Sequence, residues 1–340
     1  MGCRMQEMKA EVRRLWERCF QDTPEFMDLY FHLRYRDELN ESIVRDGHLV
    51  SALQIIPYEL TSWQTRLPMA YLSGVCTHPD ARRQGLMRRL LAQTHCRLHR
   101  EGYPVSTLIP AEPWLFDCYA TSGYAAVFDY EWEDFTPATA DYGQPLSIRE
   151  YREDTQGVYD YFDRKMSERP CCVQHSEDDF RVVMADLRLS KGALWVARRG
   201  HDVAGLAFCV PVESVCRVNE CLSDGPDVTQ ALAKAACERA FVERAELLHP
   251  VSGHGERRQL GMLRVIHAEK ALSLYARAHP DTDACWRVTD PDIPENNATF
   301  RLTQGCCRRD TTSKGEPMDI KKLAHALWAS EYPYMSLMLN

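Results

Sequence analysis

No stretch of this 340-residue chain approaches the ~18 consecutive apolar residues of a membrane-spanning helix. The opening residues, MGCRMQEMKAEVRRLWERCF, lack the apolar core of a secretory signal. They also carry Gln6 where an acylation start after Gly2 needs Ser or Thr. There is no excess of basic charge: 41 Lys and Arg against 49 Asp and Glu leave a net −8. That balance argues against nucleic-acid and anionic-membrane partners, both of which select for a positive surface. No C-x-x-C pair occurs among the 14 cysteines, and Cys171-Cys172 and Cys306-Cys307 are immediate neighbours. Without paired metal-ligand spacing, the expectation is reduced thiols, a cytoplasmic setting and no metal.

The sequence has ordinary apolar content, 45% hydrophobic with 26% charged, enough to build a core. In EVRRLWERCF, Val12, Leu15, Trp16 and Cys19 fall on one helical face. TPEFMDLYFHLR starts as a helix should, with Thr23 as cap and Pro24 in the first turn. Asp46-Gly47 lies between two apolar runs and predicts a hairpin. A strand follows in MAYLSGVCT and stops before Pro79.

A second copy of this pattern lies downstream. VRDGHLVSALQIIP (44–57) compares with ARRGHDVAGLAFCVP (197–211), and in both copies a strand, a turn and a long helix follow. The reading is an α/β (α+β) chain with tandem related units over 1–142 and 143–255. A different segment, 256–340, then holds strands around a Pro/Asn-rich turn, helices, and an apolar end, EYPYMSLMLN, that should dock rather than fray.

The stretch YLSGVCTHPDARRQGLMRRLLAQT carries the chemistry. Met87, Leu90, Leu91, Thr94 and Leu98 form an apolar stripe, predicting a helix from Gln84 to Arg100. Arg82 and Arg83 stand at its start, where the macrodipole favours acids. Free N–H groups, a glycine that lets the backbone approach closely and two guanidinium groups together make an anion site. His78 reads as a turn residue. In the second copy, LSDGPDVTQAL, Asp224 and Asp227 replace the arginines, and carboxylates there would repel a phosphate. The second unit is therefore read as a scaffold.

The motif Val75-Cys76-Thr77-His78-Pro79-Asp80-Ala81-Arg82-Arg83-Gln84-Gly85-Leu86-Met87 resembles the acyl-CoA-binding motif of the GCN5-related N-acetyltransferases (GNATs), with Met87 where Gly or Ala is usual. CYATSGYAAVF resembles that family's Y-x-x-x-G-Y stretch, with Tyr119 as the tyrosine facing the thioester. Two such units followed by GMLRVIHAEKAL and VTDPDIPENNATFRL resemble the enhanced intracellular survival group, whose third domain is similar to sterol carrier protein. The resemblance implies tandem GNAT-like mixed sheets and a small sterol-carrier-like α/β domain. It further implies an acetyl-CoA-dependent N-acetyltransferase acting on a primary amine, of a small molecule or a peptide lysine. Val75, Cys76, Thr77, Arg82, Arg83, Gln84, Gly85, Leu86, Met87 and Arg88 would bind acetyl-CoA. Tyr119 would be the general acid, and the C-terminal carboxylate of Asn340 the general base. Asp22, Glu25 and Phe26 would line the acceptor groove. The rival expectation is a non-catalytic CoA- or lipid-binding protein. Homo-oligomerisation is left open.

Overall fold

The structure is a computed structural model that describes residues 2–137, 146–152, 157–253 and 255–339. The chain forms two compact units. The first holds 1–128 and 260–333, and the second holds 129–259 and 334–339.

The first unit opens with α1 (Gly2–Cys19) and α2 (Pro24–Leu33). α1 buries Val12, Leu15 and Trp16, the stripe read from its spacing. Thr23 caps α2, its hydroxyl accepting from the Phe26 N–H at 3.2 Å. The hairpin β1 (Asn40–Arg45) and β2 (His48–Ser62) turns at Asp46 and Gly47, whose φ angles are 50° and 78°. Two left-handed residues in succession are what a tight hairpin requires. β3 (Thr65–Thr77) pairs antiparallel with β2. α3 (Leu86–Glu101) and β4 (Val105–Leu108) follow, and β4 lies parallel to β3. α4 (Pro113–Ala120) leads to β5 (Ala125–Phe135), which passes into the second unit. Leu86, Leu90, Leu91 and Leu98 of α3 pack with Leu53, Ile55, Leu72 and Leu108 into one core.

The second unit repeats this order. β6 (Ser147–Glu150), α5 (Val158–Ser167), β7 (Cys172–Gln174) and α6 (Glu177–Leu189) come first. β8 (Ala193–Arg199), β9 (Asp202–Val212) and β10 (Val215–Ser223) then pair antiparallel in succession. α7 (Pro226–Ala240) crosses to β11 (Ala245–His249), parallel to β10. Strand–strand–helix–strand with one parallel pair is thus present twice, as the sequence repeat predicts.

Segment 256–340 does not stand apart. β12 (Glu256–Val265) pairs with β4 through Met262–Val265, so its end belongs to the first unit. α8 (Ala268–Ala278), β13 (Ala284–Thr289), β14 (Ala298–Thr303), β15 (Cys306–Arg309), β16 (Glu316–Asp319) and α9 (Ile320–Trp328) follow. The four strands make a sheet of order β15-β14-β13-β16 within that unit. The apolar tail docks: Tyr334, Met335 and Leu339 are buried, and Tyr334 bonds the backbone of Cys171 and Val173 in the second unit. Asn340 lies outside the described residues. Among the described residues no helix is long and apolar enough to cross a membrane.

Candidate functional site

Two local departures from regularity shape the end of β3. Ala52 faces Cys76 and Gln54 faces Ser73, so β3 carries one extra residue and bulges there. Gly74 sits in the bulge at φ 60° with the Trp16 ring against its face; a Cβ would lie 2.0 Å from that ring. Trp16 is held in turn by its indole N–H, which donates to Asp22 at 2.6 Å. The Tyr30 hydroxyl donates to Ser73 at 2.9 Å. On the other side of the strand, pairing with β4 runs from Met69–Val105 to Tyr71–Thr107, while β3 continues to Thr77. Among the described residues, Val75, Cys76 and Thr77 therefore lie beyond the end of β4, with no β4 residue paired to them.

The chain then turns through a single 3₁₀ turn at Pro79–Ala81 and enters α3. The helix begins at Leu86 rather than at Gln84. Arg83 and Gly85 are left-handed, with φ 61° and 72°, and neither can sit inside a right-handed helix. The first intrahelical donor is the N–H of Arg89, bonded to the Gly85 carbonyl at 3.0 Å. The N–H groups of Leu86, Met87 and Arg88 are thus the unsatisfied donors of the helix start. Among the described residues, a Cβ at Gly85 would meet no atom within 4 Å, so the chain is open at the residue before these donors.

The side chains around this end divide. Arg82 and Arg83 are exposed, and Arg83 has no acidic partner among the described residues. Arg82 Nε donates to the Thr77 carbonyl at 3.2 Å, which ties the loop to the strand end. Gln84 accepts from Arg45 at 2.6 Å. Leu86 is buried in the core and Met87 packs against it. Arg88 turns away: its guanidinium forms a two-pronged pair with Asp292, at 2.6 and 3.0 Å. Its contribution at the helix start is its N–H and not its charge.

Tyr119 ends α4 in this same core, 5% exposed, its ring edge-on to Tyr124 at 6.1 Å. Its hydroxyl has no hydrogen-bond partner among the described residues. Burial pushes its pKa above the usual phenol value, and the neighbouring Tyr124 adds to that. It holds its proton throughout the neutral range.

Behind Tyr119 lies a buried polar chain that the sequence reading missed. His95, fully buried, sits 2.9 Å from Asp292 through Nδ1 and 3.2 Å from the Tyr124 hydroxyl through Nε2. Burial, aided by the charge of Arg264, lowers the His95 pKa to about 3, although Asp292 opposes that shift. The ring is neutral, Nδ1–H donates to Asp292, and Nε2 must accept from Tyr124. Tyr124 then accepts from Ser106 at 3.0 Å. Arg264, also fully buried, is paired with Asp290 at 2.7 Å and donates to the Ser122 carbonyl at 2.9 Å. For Asp292, burial works to raise the pKa, but hydrogen bonds from His95 and Arg88 hold it well below the usual carboxylate range. The only signal in the sequence is the Asp-Pro-Asp-Ile-Pro turn, and nothing in it indicates which helix it meets.

Of the expected acceptor residues, Asp22 is half-buried and engaged with Trp16. Glu25 is exposed in the first turn of α2, and Phe26 stacks obliquely on Tyr30 at 6.2 Å. Cys76 is buried and Cys19 faces it; Cys19 donates to the Thr77 carbonyl at 3.3 Å. Among the described residues no group of three His, Cys, Asp or Glu is placed to hold a metal ion.

In the second unit the matching helix end is filled. Asp227 is ion-paired with Arg199, and its carboxylate lies 2.9 Å from where a Cβ on Gly225 would be. Asp224 accepts from the Tyr161 hydroxyl and from Lys165, both at 3.0 Å.

Residues 5–127 match the description of an acetyltransferase (GNAT) domain. A search of curated proteins returned no match. Among solved structures, a GCN5-related N-acetyltransferase from Anabaena variabilis superposes with a TM-score of 0.77, at 16% identity, over 97% of each chain. Eis1 from Mycobacterium abscessus gives 0.74 at 15% identity, over 95% of this chain and 87% of that one. A probable N-acyltransferase from Enterococcus faecalis V583 gives 0.74 at 15% identity, over 94% and 86%. At such identities the likeness shows the fold. The matched residues contain β3, its bulge, the loop and α3, so the likeness to an acetyltransferase (GNAT) domain falls on the first unit.

Proposed function

We propose that this protein is an acetyl-CoA-dependent N-acetyltransferase acting on a primary amine, of a small molecule or a peptide lysine. The observation that carries the reading is the start of α3: unsatisfied N–H groups at residues 86–88, two left-handed residues before them, and open space at the Cβ position of Gly85 among the described residues. A diphosphate fits such a place, because amides and dipole both favour negative charge. Because β3 runs on past the end of β4, backbone groups of Val75, Cys76 and Thr77 are left to bond an extended pantetheine arm in this reading.

Bound acetyl-CoA supplies the activated acyl group and a thiolate leaving group. The protein's tasks follow from that chemistry. A backbone N–H near Val75 donates to the developing oxyanion. Tyr119, kept protonated by its burial, gives its proton to the departing sulfur. An alkyl amine with pKa ~10.4 is about one part in a thousand neutral at pH 7.4, so a base must take its proton. The resemblance assigns that base to the α-carboxylate of Asn340, and the burial of Tyr334, Met335 and Leu339 is consistent with a docked rather than a frayed tail. Asp22, Glu25 and Phe26 border the acceptor groove, with Glu25 and Phe26 free to meet a cationic substrate. In this reading 1–142 and 143–255 are the two related folds, and 256–340 supplies a further part, most of which lies within the first unit. The second is a scaffold whose helix end is occupied by Asp227, and the third is sterol-carrier-like.

Release of free thiol from acetyl-CoA, measured against polyamines, aminoglycosides and lysine peptides, tests the reading. Amine-dependent release is expected. Binding of CoA with no release for any amine would instead favour a non-catalytic CoA- or lipid-binding protein.

A further inference from the structure

A second basic site lies beside the first. α1 and the start of β2 enclose a cleft of about 400 Å³ whose walls include Arg14, Arg18, His48 and His78, with Glu11 as its one acid. This is an unusual gathering in a chain of net charge −8. Arg14 and Arg18 are one helical turn apart, and like charges at that spacing repel and destabilise a helix. The neighbouring residue is treated differently: Arg13 is paired with Glu17 and Asp28. Neither Arg14 nor Arg18 has an acidic partner among the described residues. Arg18 instead points Nη1 at His78 Nε2, 2.8 Å away, which brings a guanidinium and an imidazole together on one wall.

The position of the cleft narrows what it would take. His78 is the residue after β3, its N–H bonded to the Val50 carbonyl of the cleft floor at 2.8 Å. Arg82 reaches back to the Thr77 carbonyl. The cleft and the α3 start are therefore linked through one turn, with His78 at the cleft and the α3 start at its other end. At about 3.3 Å per strand residue, His78 lies roughly 10 Å along the chain from Val75. The cleft is thus on the phosphate side of Val75 and not at the reacting carbonyl.

We propose that this cleft binds a phosphate monoester, with Arg14 and Arg18 as its principal ligands and His48 as a further donor, His78 holding the Arg18 guanidinium in place. Two planar guanidinium groups lining one cleft suit a compact dianion better than a single carboxylate. The proposal rests on the acetyl-CoA reading in one respect: the 3′-phosphate of the coenzyme is one source of that group. A separate phosphorylated small molecule is the other.

The test is calorimetry with CoA, 3′-dephospho-CoA and inorganic phosphate, on the full chain and on Arg14→Gln/Arg18→Gln. Both arginines are exposed, so the variant should fold; circular dichroism and thermal midpoint confirm that. If the coenzyme is the source, CoA binds at least about tenfold tighter than 3′-dephospho-CoA, and the variant abolishes the difference without weakening 3′-dephospho-CoA. If the source is separate, the two coenzymes bind alike, and inorganic phosphate binds the native chain but not the variant. Equal binding of the coenzymes together with no phosphate binding overturns the proposal. Failure to bind either coenzyme would count against the acetyltransferase reading, and the phosphate titration would still decide the cleft.

Discussion

At the scale of single residues, Tyr119 is the most exposed to refutation. Its hydroxyl has no hydrogen-bond partner among the described residues, and its raised pKa keeps it protonated. Tyr119→Phe should lower kcat by about 10²-fold or more, the usual contribution of a general acid. The acetyl-CoA dissociation constant should stay within about twofold of the native value, since no binding energy is assigned to that hydroxyl. A steady-state rate series with parallel calorimetry reads both. His95 bears on stability. Its folded pKa, about 3, lies below its unfolded value of ~6.5, so the native state refuses a proton that the unfolded chain accepts. That contribution is complete above the unfolded pKa and is lost as pH falls from about 6.5 towards 3, at up to ~1.4 kcal/mol per pH unit. Urea unfolding at pH 7 and pH 5 should show the loss in the native chain. In His95→Gln the stability at pH 7 should be lower, and the fall between the two pH values should be shallower by about one proton.

At the scale of elements, Gly74 and Gly85 make a controlled pair. Both are left-handed, at φ 60° and 72°. Any side chain costs about 1 kcal/mol in that region. At Gly74 the added Cβ would also strike the Trp16 ring, 2.0 Å away, whereas at Gly85 it would meet no atom within 4 Å. Gly74→Ala should therefore cost several kcal/mol, through the displaced α1 and the strained bulge, and should abolish activity. Gly85→Ala should cost only about 1 kcal/mol in stability, because it meets no protein atom. It should nonetheless weaken CoA at least about tenfold, because the methyl projects onto the face assigned to the diphosphate. Thermal denaturation and coenzyme titration of both variants separate the two effects. These elements also show what the sequence makes legible. The helix face of Val12, Leu15 and Trp16, the Thr23 cap, the Asp46-Gly47 hairpin and the repeated strand–strand–helix–strand all arise from local periodicity and turn chemistry, and all are present. The α3 start is shifted by two residues because the left-handed state of Arg83 leaves no mark in composition. Arg88 reads as an anion ligand by its place in the motif, yet it turns to Asp292, about two hundred residues away in sequence.

At the scale of the whole molecule, periodicity identified how many times the α/β pattern occurs, but not which segments pack together. Segment 260–333 joins the first unit through the β4–β12 pairing and the Arg88–Asp292 pair, contacts between residues far apart in the chain. The tail's apolar character was legible, and its docking partner, the backbone at Cys171 and Val173, was not. The duplication also sets the expected number of coenzyme sites. The first helix start is open at Gly85, with Arg83 unpaired among the described residues; the second holds Asp227 and the paired Arg199. Titration of acetyl-CoA into the native chain and into Arg83→Glu, followed by calorimetry, is the most direct test. The account predicts one site per chain, weakened at least about tenfold by the charge reversal, or about 1.4 kcal/mol. No heat from the native chain, two equivalent sites, or equal affinity in Arg83→Glu would contradict it.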